Sequence, residues 1–176
     1  MRREPGCETP DMTGVPTSFS RVTLSRIMVQ TDVNLYGTVH GGAIMKFIDD
    51  AAGAAAARHA GGNAVTASID EIVLSTPVRV GDLVHAQAQV NWVGRTSMEI
   101  GVRVLAERWN EAGTEPLTVA TAYLVFVHVD AEGKPQPIRP VVPETATDKQ
   151  RLHEAEIRRE HRLARRQAIL ASRDRP

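Results

Sequence analysis

"YGTVHGGAIMKFIDDAAGAAAA", residues 36–57, decides how the rest of the chain is read. From Gly41 onward it is a run of Ala, Gly and larger apolar residues with few charges, the composition of a helix meant for burial. Two adjacent aspartates, Asp49 and Asp50, interrupt it, and an ionised carboxylate taken out of water costs several kcal/mol unless partners compensate. On a helical wheel Ile44, Met45, Ile48, Ala52, Ala55 and Ala56 gather on one side, with Asp49 at the edge of that sector. Asp50 falls about 100° further round, one turn after Lys46, and reads as a surface charge. Asp49 has no charged partner in its own helix. Of the two, Asp49 is the one that calls for an explanation.

The helix start carries a second feature. "HGG", residues 40–42, leaves backbone N–H groups unpaired at the positive end of the helix dipole. Glycines there let a ligand oxygen approach closely, which makes an oxyanion site; they serve a tight turn equally well. Asp49 stands seven residues past Gly42, about 10 Å along the same helix. That is too far for both to touch one small reacting group, so a shared site would draw them from two subunits.

Working outward, residues 18–29 predict a first strand, and "AGGN", 60–63, closes the helix with glycine just past its end. Four strands follow. In 64–74 the apolar positions Val65, Ala67 and Ile69 shift parity to Ile72 and Leu74, which predicts a bulge near Asp70–Glu71. In 83–93 Val84, Ala86, Ala88, Val90 and Trp92 share one face; in 97–107 Met98, Ile100, Val102, Val104 and Ala106 point inward. Residues 117–129 are apolar on both faces, which asks for a cover on both sides. One helix cannot supply that, so a second copy of the chain is expected, in a homo-oligomer built from dimers and extending as far as a hexamer. The charged segment from about Thr147 to Ser172 predicts a helix capped by Asp148 or Thr147 and braced by a Glu154–Arg158 pair. The resulting division is a disordered tail over 1–17, a main domain over 18–142 and a charged C-terminal helix over 143–176, in an α+β chain whose antiparallel sheet wraps one long helix.

Composition excludes several functions. Lys+Arg and Asp+Glu are balanced at 21 each and aromatic residues make up 4%, which argues against a nucleic-acid binder. The one cysteine, Cys7, fits a reducing compartment and reads as a free thiol. The N-terminus lacks an apolar signal-peptide core and no run reaches the roughly 20 apolar residues that span a bilayer. A cytoplasmic protein without membrane contact is expected. His59, His85 and His128 make no metal-ligand spacing, so no metal is expected.

"DVNLYGTVHGGAIMKFID", residues 32–49, resembles the signature of the cytosolic acyl-CoA hydrolase family of hotdog-fold thioesterases: D-x-N, G-x-x-H-G-G, then I-M with an acid four positions after the Met. "SIDEIVLSTPVRVGDLV" (68–84), "VGRTSMEIGVRV" (93–104) and "EAEIRREHRLARR" (154–166) follow in the family's order, so the resemblance covers roughly residues 18–166. It implies a site at a dimer interface where Asp49 activates water against a thioester carbonyl or attacks it directly. It also implies a backbone N–H at the helix start that polarises the carbonyl, with Gly42 as the first candidate, joined by Gly41, in the turn entered by His40. Asn34 matches the family's active-site asparagine, and Gly94, Arg95, Thr96 and Ser97 resemble its CoA-contacting turn. Lys134 and Arg139 are weaker phosphate partners. No cofactor is implied, since coenzyme A is part of the substrate. Two other readings stay open. A hotdog enoyl-CoA hydratase would need a D-x-N-P element, but Asn34 is followed by Leu35 and Tyr36; a non-catalytic acyl-CoA-binding protein would carry the same fold with an inert site.

Overall fold

The computed structural model describes residues 13–111 and 113–173. The first twelve residues, with Cys7, lie outside the described residues.

The apolar run of the opening stretch forms α1, Gly41–Ala60, ended by Gly61 in the left-handed region (φ 70°) as the glycine pair predicts. Around it folds a five-stranded antiparallel sheet of β2 (Val22–Ile27), β3 (Ala64–Leu74), β4 (Leu83–Val93), β5 (Ser97–Glu107) and β6 (Leu117–His128). The spatial order is β2-β4-β5-β6-β3, so β3, the strand that follows the helix, is left at one edge. This is the hotdog arrangement. The core lies between α1 and one sheet face, where Ile48, Ala52, Ala55 and Ala56 meet Val90, Met98, Ile100, Val104 and Leu124. Alanines on the helix let it lie close to the sheet.

β3 bulges where the parity shift predicts, at Asp70, and bulges once more at Ala67. The irregularity at Ala67 changes which residues face the helix. Thr66 pairs with Phe126 of the core face, while Val65 pairs with Val127 and Ser68 with Val125 on the opposite face. A bulge at Asn91 in β4 acts in the same way on Trp92, which is set opposite Glu99 and away from the core, contrary to the simple alternation.

The tail is shorter than expected. Val15–Pro16 forms a short strand, β1, parallel to β7 (Val141–Val142), and Val15 and Thr17 are buried. A turn of 3-10 helix, Thr17–Ser20, leads from there into β2, so the first long strand starts at Val22. Val15 is apolar and Pro16 needs no ladder donor, which suits a two-residue edge pairing.

The second cover of the sheet comes in part from the chain itself. α2, Ala146–Arg173, crosses the outer face. Thr145 caps it in a box with Asp148, each side chain accepting the other's backbone N–H, so the cap stands two residues before Thr147. Asp148 is 3% exposed. Its burial pushes its pKa up, but hydrogen bonds from Thr145 and Gln89 and the charge of Arg21 outweigh this and hold it below the usual value. Further along, Arg158 turns away from Glu154 and onto the sheet. It donates to both oxygens of buried Glu99 (Nη2–Oε1 2.7 Å, Nε–Oε2 3.2 Å) and lies 3.6 Å over the Tyr123 ring. Arg159 sits over Trp92, and Arg162 pairs with Asp70 on β3. The charged helix is therefore seated by arginines that reach scattered acids, with Ala155 as its buried apolar contact.

His59, near the end of α1, is buried; its Nε2–H donates to the Arg139 carbonyl (3.0 Å), and its Nδ1 has no partner among the described residues. Burial, opposed by that hydrogen bond and reinforced by the Arg139 charge, lowers its pKa below 6.5. The unfolded chain then takes up this proton more readily than the folded one. The stability is fully present above pH 6.5 and is lost as pH falls toward the folded-state pKa. Urea midpoints measured from about pH 7.5 down to about pH 5 should fall more steeply for the wild type than for His59→Gln, which keeps a donor for the carbonyl and does not titrate.

Candidate active site

The residues singled out from the sequence fall into three groups along α1 and the sheet. The first surrounds the helix start. Asp32 anchors the approach, accepting from Arg26 and the Val29 N–H while its carbonyl takes the His40 N–H. Asn34 then organises the loop. Its Oδ1 accepts from the N–H groups of Tyr36 (2.8 Å) and Thr38 (3.2 Å), and its Nδ2 donates to Thr38 Oγ1 (2.9 Å). This Asx turn leaves Leu35 and Tyr36 projecting at the tip, fully exposed. His40 is the N-cap of α1, with Nδ1 accepting the Gly42 N–H at 2.8 Å. A Cβ on residue 42 would come within 3.0 Å of that nitrogen, so Gly42 makes room for the cap. The Gly42 N–H is thus occupied. The Gly41 N–H has no acceptor among the described residues, and it is the donor that the helix start presents.

The second group lies two and a half turns further on. Asp49 is half-buried, and its Oδ1 accepts from Thr66 Oγ1 at 2.7 Å. Its Oδ2 has no donor among the described residues. Asp50 is exposed and ion-paired with Lys46 (2.8 Å), as the wheel predicts. Thr66 was not legible as a site residue: strict alternation puts Val65 and Ala67 on the helix side, and only the bulge at Ala67 brings Thr66 there. Ala67, a small residue in a strand already out of phase further on, is the signal that could have revealed it.

The third group gathers at the other end of the sheet, beyond the C-terminus of α1. Gly94–Ser97 forms the β4–β5 turn, with Gly94 N–H donating to the Ser97 carbonyl (2.8 Å). The carbonyls of Arg95 and Thr96 accept from Ile138 and His128, which ties this turn to the segment carrying Arg139. Lys134 sits on a tight turn held by Asp130. Arg95 and Lys134 are exposed, and no acid partner of Arg95, Lys134 or Arg139 is present among the described residues. Asn34, His40 and Gly41 are therefore not brought to Asp49 within one subunit. A cavity of about 510 Å³ on the outer face is polar and touches none of the three groups. Among the described residues no three or more His, Cys, Asp or Glu side chains come together as metal ligands, and no helix is long and apolar enough to cross a membrane.

A long helix wrapped by an antiparallel sheet, with a mid-helix carboxylate and an open helix start, defines the chain as a hotdog protein of the thioesterase class. Residues 36–111 match the model of the Thioesterase superfamily. The chain belongs to the acyl-CoA thioester hydrolase family. It is 36% identical over 150 residues to the cytosolic acyl coenzyme A thioester hydrolase of Mus musculus, covering 85% of this chain and 39% of that protein, and so spans about two fifths of that relative's length. It is 38% identical over 152 residues to an uncharacterized acyl-CoA thioester hydrolase of Bacillus subtilis, covering 82% of this chain and 87% of that one. A hexameric acyl-CoA thioesterase solved in its apo form superposes with a TM-score of 0.83 at 35% identity, over 87% of this chain and 97% of that one. The Staphylococcus aureus acyl-CoA hydrolase, solved with butyryl coenzyme A and coenzyme A, superposes with a TM-score of 0.82 at 33% identity, over 90% and 95%. Structures of that hydrolase also exist with one aspartate, one asparagine or one threonine replaced by alanine.

Proposed function

We propose that the chain hydrolyses acyl-CoA thioesters to a carboxylic acid and coenzyme A, at a site completed between two copies. The observation that carries this reading is the separation of Asp49, held by Thr66, from the one open N–H of the helix start at Gly41. β3 is a free edge with Val65, Ile69, Val73 and Leu74 exposed along it, the kind of edge that a second copy covers. Thr66 and Leu74 stand four residues to either side of Asp70, and Leu74 packs against Gly41. Two β3 edges paired antiparallel about Asp70 would place Thr66 of one subunit opposite Leu74 of its partner. Asp49 of the first then meets Gly41 of the second, the distance problem disappears, and two equivalent sites form.

In this arrangement Asp49 Oδ2 takes a proton from a water molecule, and the hydroxide adds to the thioester carbonyl. The oxyanion is met by the Gly41 N–H at the positive end of the helix dipole, and by the Gly42 N–H when His40 swings aside. Collapse breaks the C–S bond and expels the CoA thiolate, a far weaker base than an alkoxide or amide anion, so no strong general acid is needed. Direct attack by Asp49, through an anhydride that water then opens, uses the same groups. Thr66 fixes the carboxylate, and Asn34 orients substrate or water from the partner's loop. Gly94, Arg95, Thr96 and Ser97 receive the CoA portion, with Lys134 and Arg139 toward its phosphates. The replaced asparagine, aspartate and threonine of the S. aureus hydrolase are spaced by 15 and then 17 residues, the spacings that separate Asn34, Asp49 and Thr66 here, which supports the assignment. Hexameric neighbours support an assembly built from such dimers, and the relatives named cytosolic support a cytoplasmic location. The experiment is thiol release from a panel of short, medium, long and aromatic acyl-CoAs. Tight binding without release would make the chain a non-catalytic acyl-CoA binder, and hydration of an enoyl-CoA would make it a hydratase.

A further inference from the structure

We propose that the two α2 helices of a dimer lie antiparallel, side by side across its two-fold axis, each ending in the groove beside the partner's α2; this rests on the dimer about Asp70 described above. Three side chains fix where α2 runs on its own sheet. Asp148 is held over β4 by Gln89, Arg158 over β5 by Glu99, and Arg162 over the edge strand β3 by Asp70. Glu99 pairs with Val125 and Val125 with Ser68, so the helix reaches the edge on the Ser68 side of Asp70. Along its other flank runs a groove lined by Ile157, His161 and Arg165, with Asp70 and Glu71 beside it.

The helix does not stop at the edge. Residues 163–173 continue past the anchor at Arg162, all exposed, for about 16 Å at 1.5 Å per residue. Arg166, Ile169 and Arg173 prolong the stripe of Ala155, Arg158 and Arg162 that faces the sheet, but their own subunit has no strand beyond β3. The two-fold at Asp70 supplies one. With strands about 4.8 Å apart, the overhang spans about three strands of the continued sheet. The axis sets residue 68 of one β3 opposite residue 72 of the other, so the overhang descends over the partner's Glu71 and Val73, in the partner's groove. The two surfaces are complementary. Residues 163–173 carry Arg165, Arg166 and Arg173 and no acid, while Glu71 is exposed and has no ion pair among the described residues. Val73 and Ile169, each 45% exposed, cover one another. The flank turned toward the axis holds Ile157, His161, Ala164 and Ala168, at i, i+4, i+7 and i+11. Its alanines let the helix axes approach to about 8 Å. The axis lies half a strand spacing beyond β3, less than two residues of helix rise past Arg162, which sets Ala164 against its own copy.

The test is a symmetric cross-link in the full chain, with Cys7→Ser to remove the native thiol. Ala164→Cys, oxidised with oxidised glutathione and run on a non-reducing denaturing gel, should be captured as a dimer in more than about half of the chains, because facing Cα atoms at the axis fall within disulfide reach. Gln167→Cys, on the side of the helix turned to solvent, should be linked in fewer than about a tenth. Ala164→Glu sets two carboxylates against each other and should raise the dissociation constant of the dimer at least about tenfold in sedimentation. All three positions are exposed, so none of the variants disturbs the core. An Ala164→Cys chain that stays unlinked, or links no better than Gln167→Cys, while it sediments as the wild type and releases thiol from acyl-CoA, would overturn the helix pair and leave the shared site standing. A wild-type chain that sediments as a monomer at the concentration where it is active would overturn both.

Discussion

Asp49→Asn should leave a folded, assembled protein that has lost at least about a thousandfold in kcat for acyl-CoA hydrolysis, in line with the 10²–10⁴ typical of a general base and more if the carboxylate is the nucleophile. Stability should change little. Asp49 is half-buried, and the hydrogen bond it accepts from Thr66 Oγ1 can be kept by the amide oxygen of asparagine. Asp50→Asn is the matched control, one residue away and paired with exposed Lys46, and should retain activity within about twofold. Loss of activity in both variants together with a lowered melting temperature would indicate damage to the helix and not to the chemistry. Thiol release measured beside thermal unfolding separates the two.

The largest stability effect is expected far from that site. Arg158→Ala removes three hydrogen bonds to Glu99, a carboxylate 1% exposed beneath α2, and the guanidinium stacked on Tyr123. Burial pushes the Arg158 pKa down, but the hydrogen bonds and charge of Glu99 prevail and hold it above its ordinary value. Leaving a buried charge without its partner costs about 3–5 kcal/mol. Replacing both members together, Glu99→Leu with Arg158→Leu, should recover most of the loss, because the pair itself contributes little beyond cancelling its own desolvation. Urea unfolding at one fixed protein concentration keeps assembly from confusing the comparison. A single Arg158→Ala variant with the wild-type midpoint would mean that α2 is not seated on the sheet in solution.

How much of this was legible in the sequence depends on the range of the interactions involved. The central helix, its glycine cap, the long strands and the bulge at Asp70 follow from local periodicity, which a chain writes within ten or twenty residues. Asp49 and Asp50 could be told apart for the same reason, since a wheel needs only one helix. Thr66 and Trp92 were misplaced because each lies next to a bulge, where a single extra residue exchanges the two faces and leaves composition unchanged. The seat of α2 was invisible for a different reason. Arg158 and Arg162 find Glu99 and Asp70 across 59 and 92 residues of sequence, and nothing local distinguishes those acids from surface charges. His40 and Gly42 form a middle case. The stretch announced an open helix start, but only the side-chain geometry shows that the imidazole occupies one N–H and leaves the one before it.

That detail supplies the sharpest test of a site shared between subunits. Gly41→Pro removes the open N–H; its added Cβ would come within 3.1 Å of Leu74 Cδ1, so the end of that exposed side chain has to move by a few tenths of an ångström. Proline is suited to the first helical position, and His40 before it already has the extended backbone (φ −63°, ψ 131°) that proline requires of its predecessor. Gly41→Pro alone should lower kcat by about 10²–10³, and Asp49→Asn alone by more. The two inactive proteins are then unfolded together, refolded as mixed dimers and assayed for thiol release. In each mixed dimer one site carries both defects and the other carries neither. Random pairing should therefore restore about a quarter of wild-type activity. A mixture no more active than its inactive parents would contradict a site built from Asp49 of one subunit and Gly41 of the other.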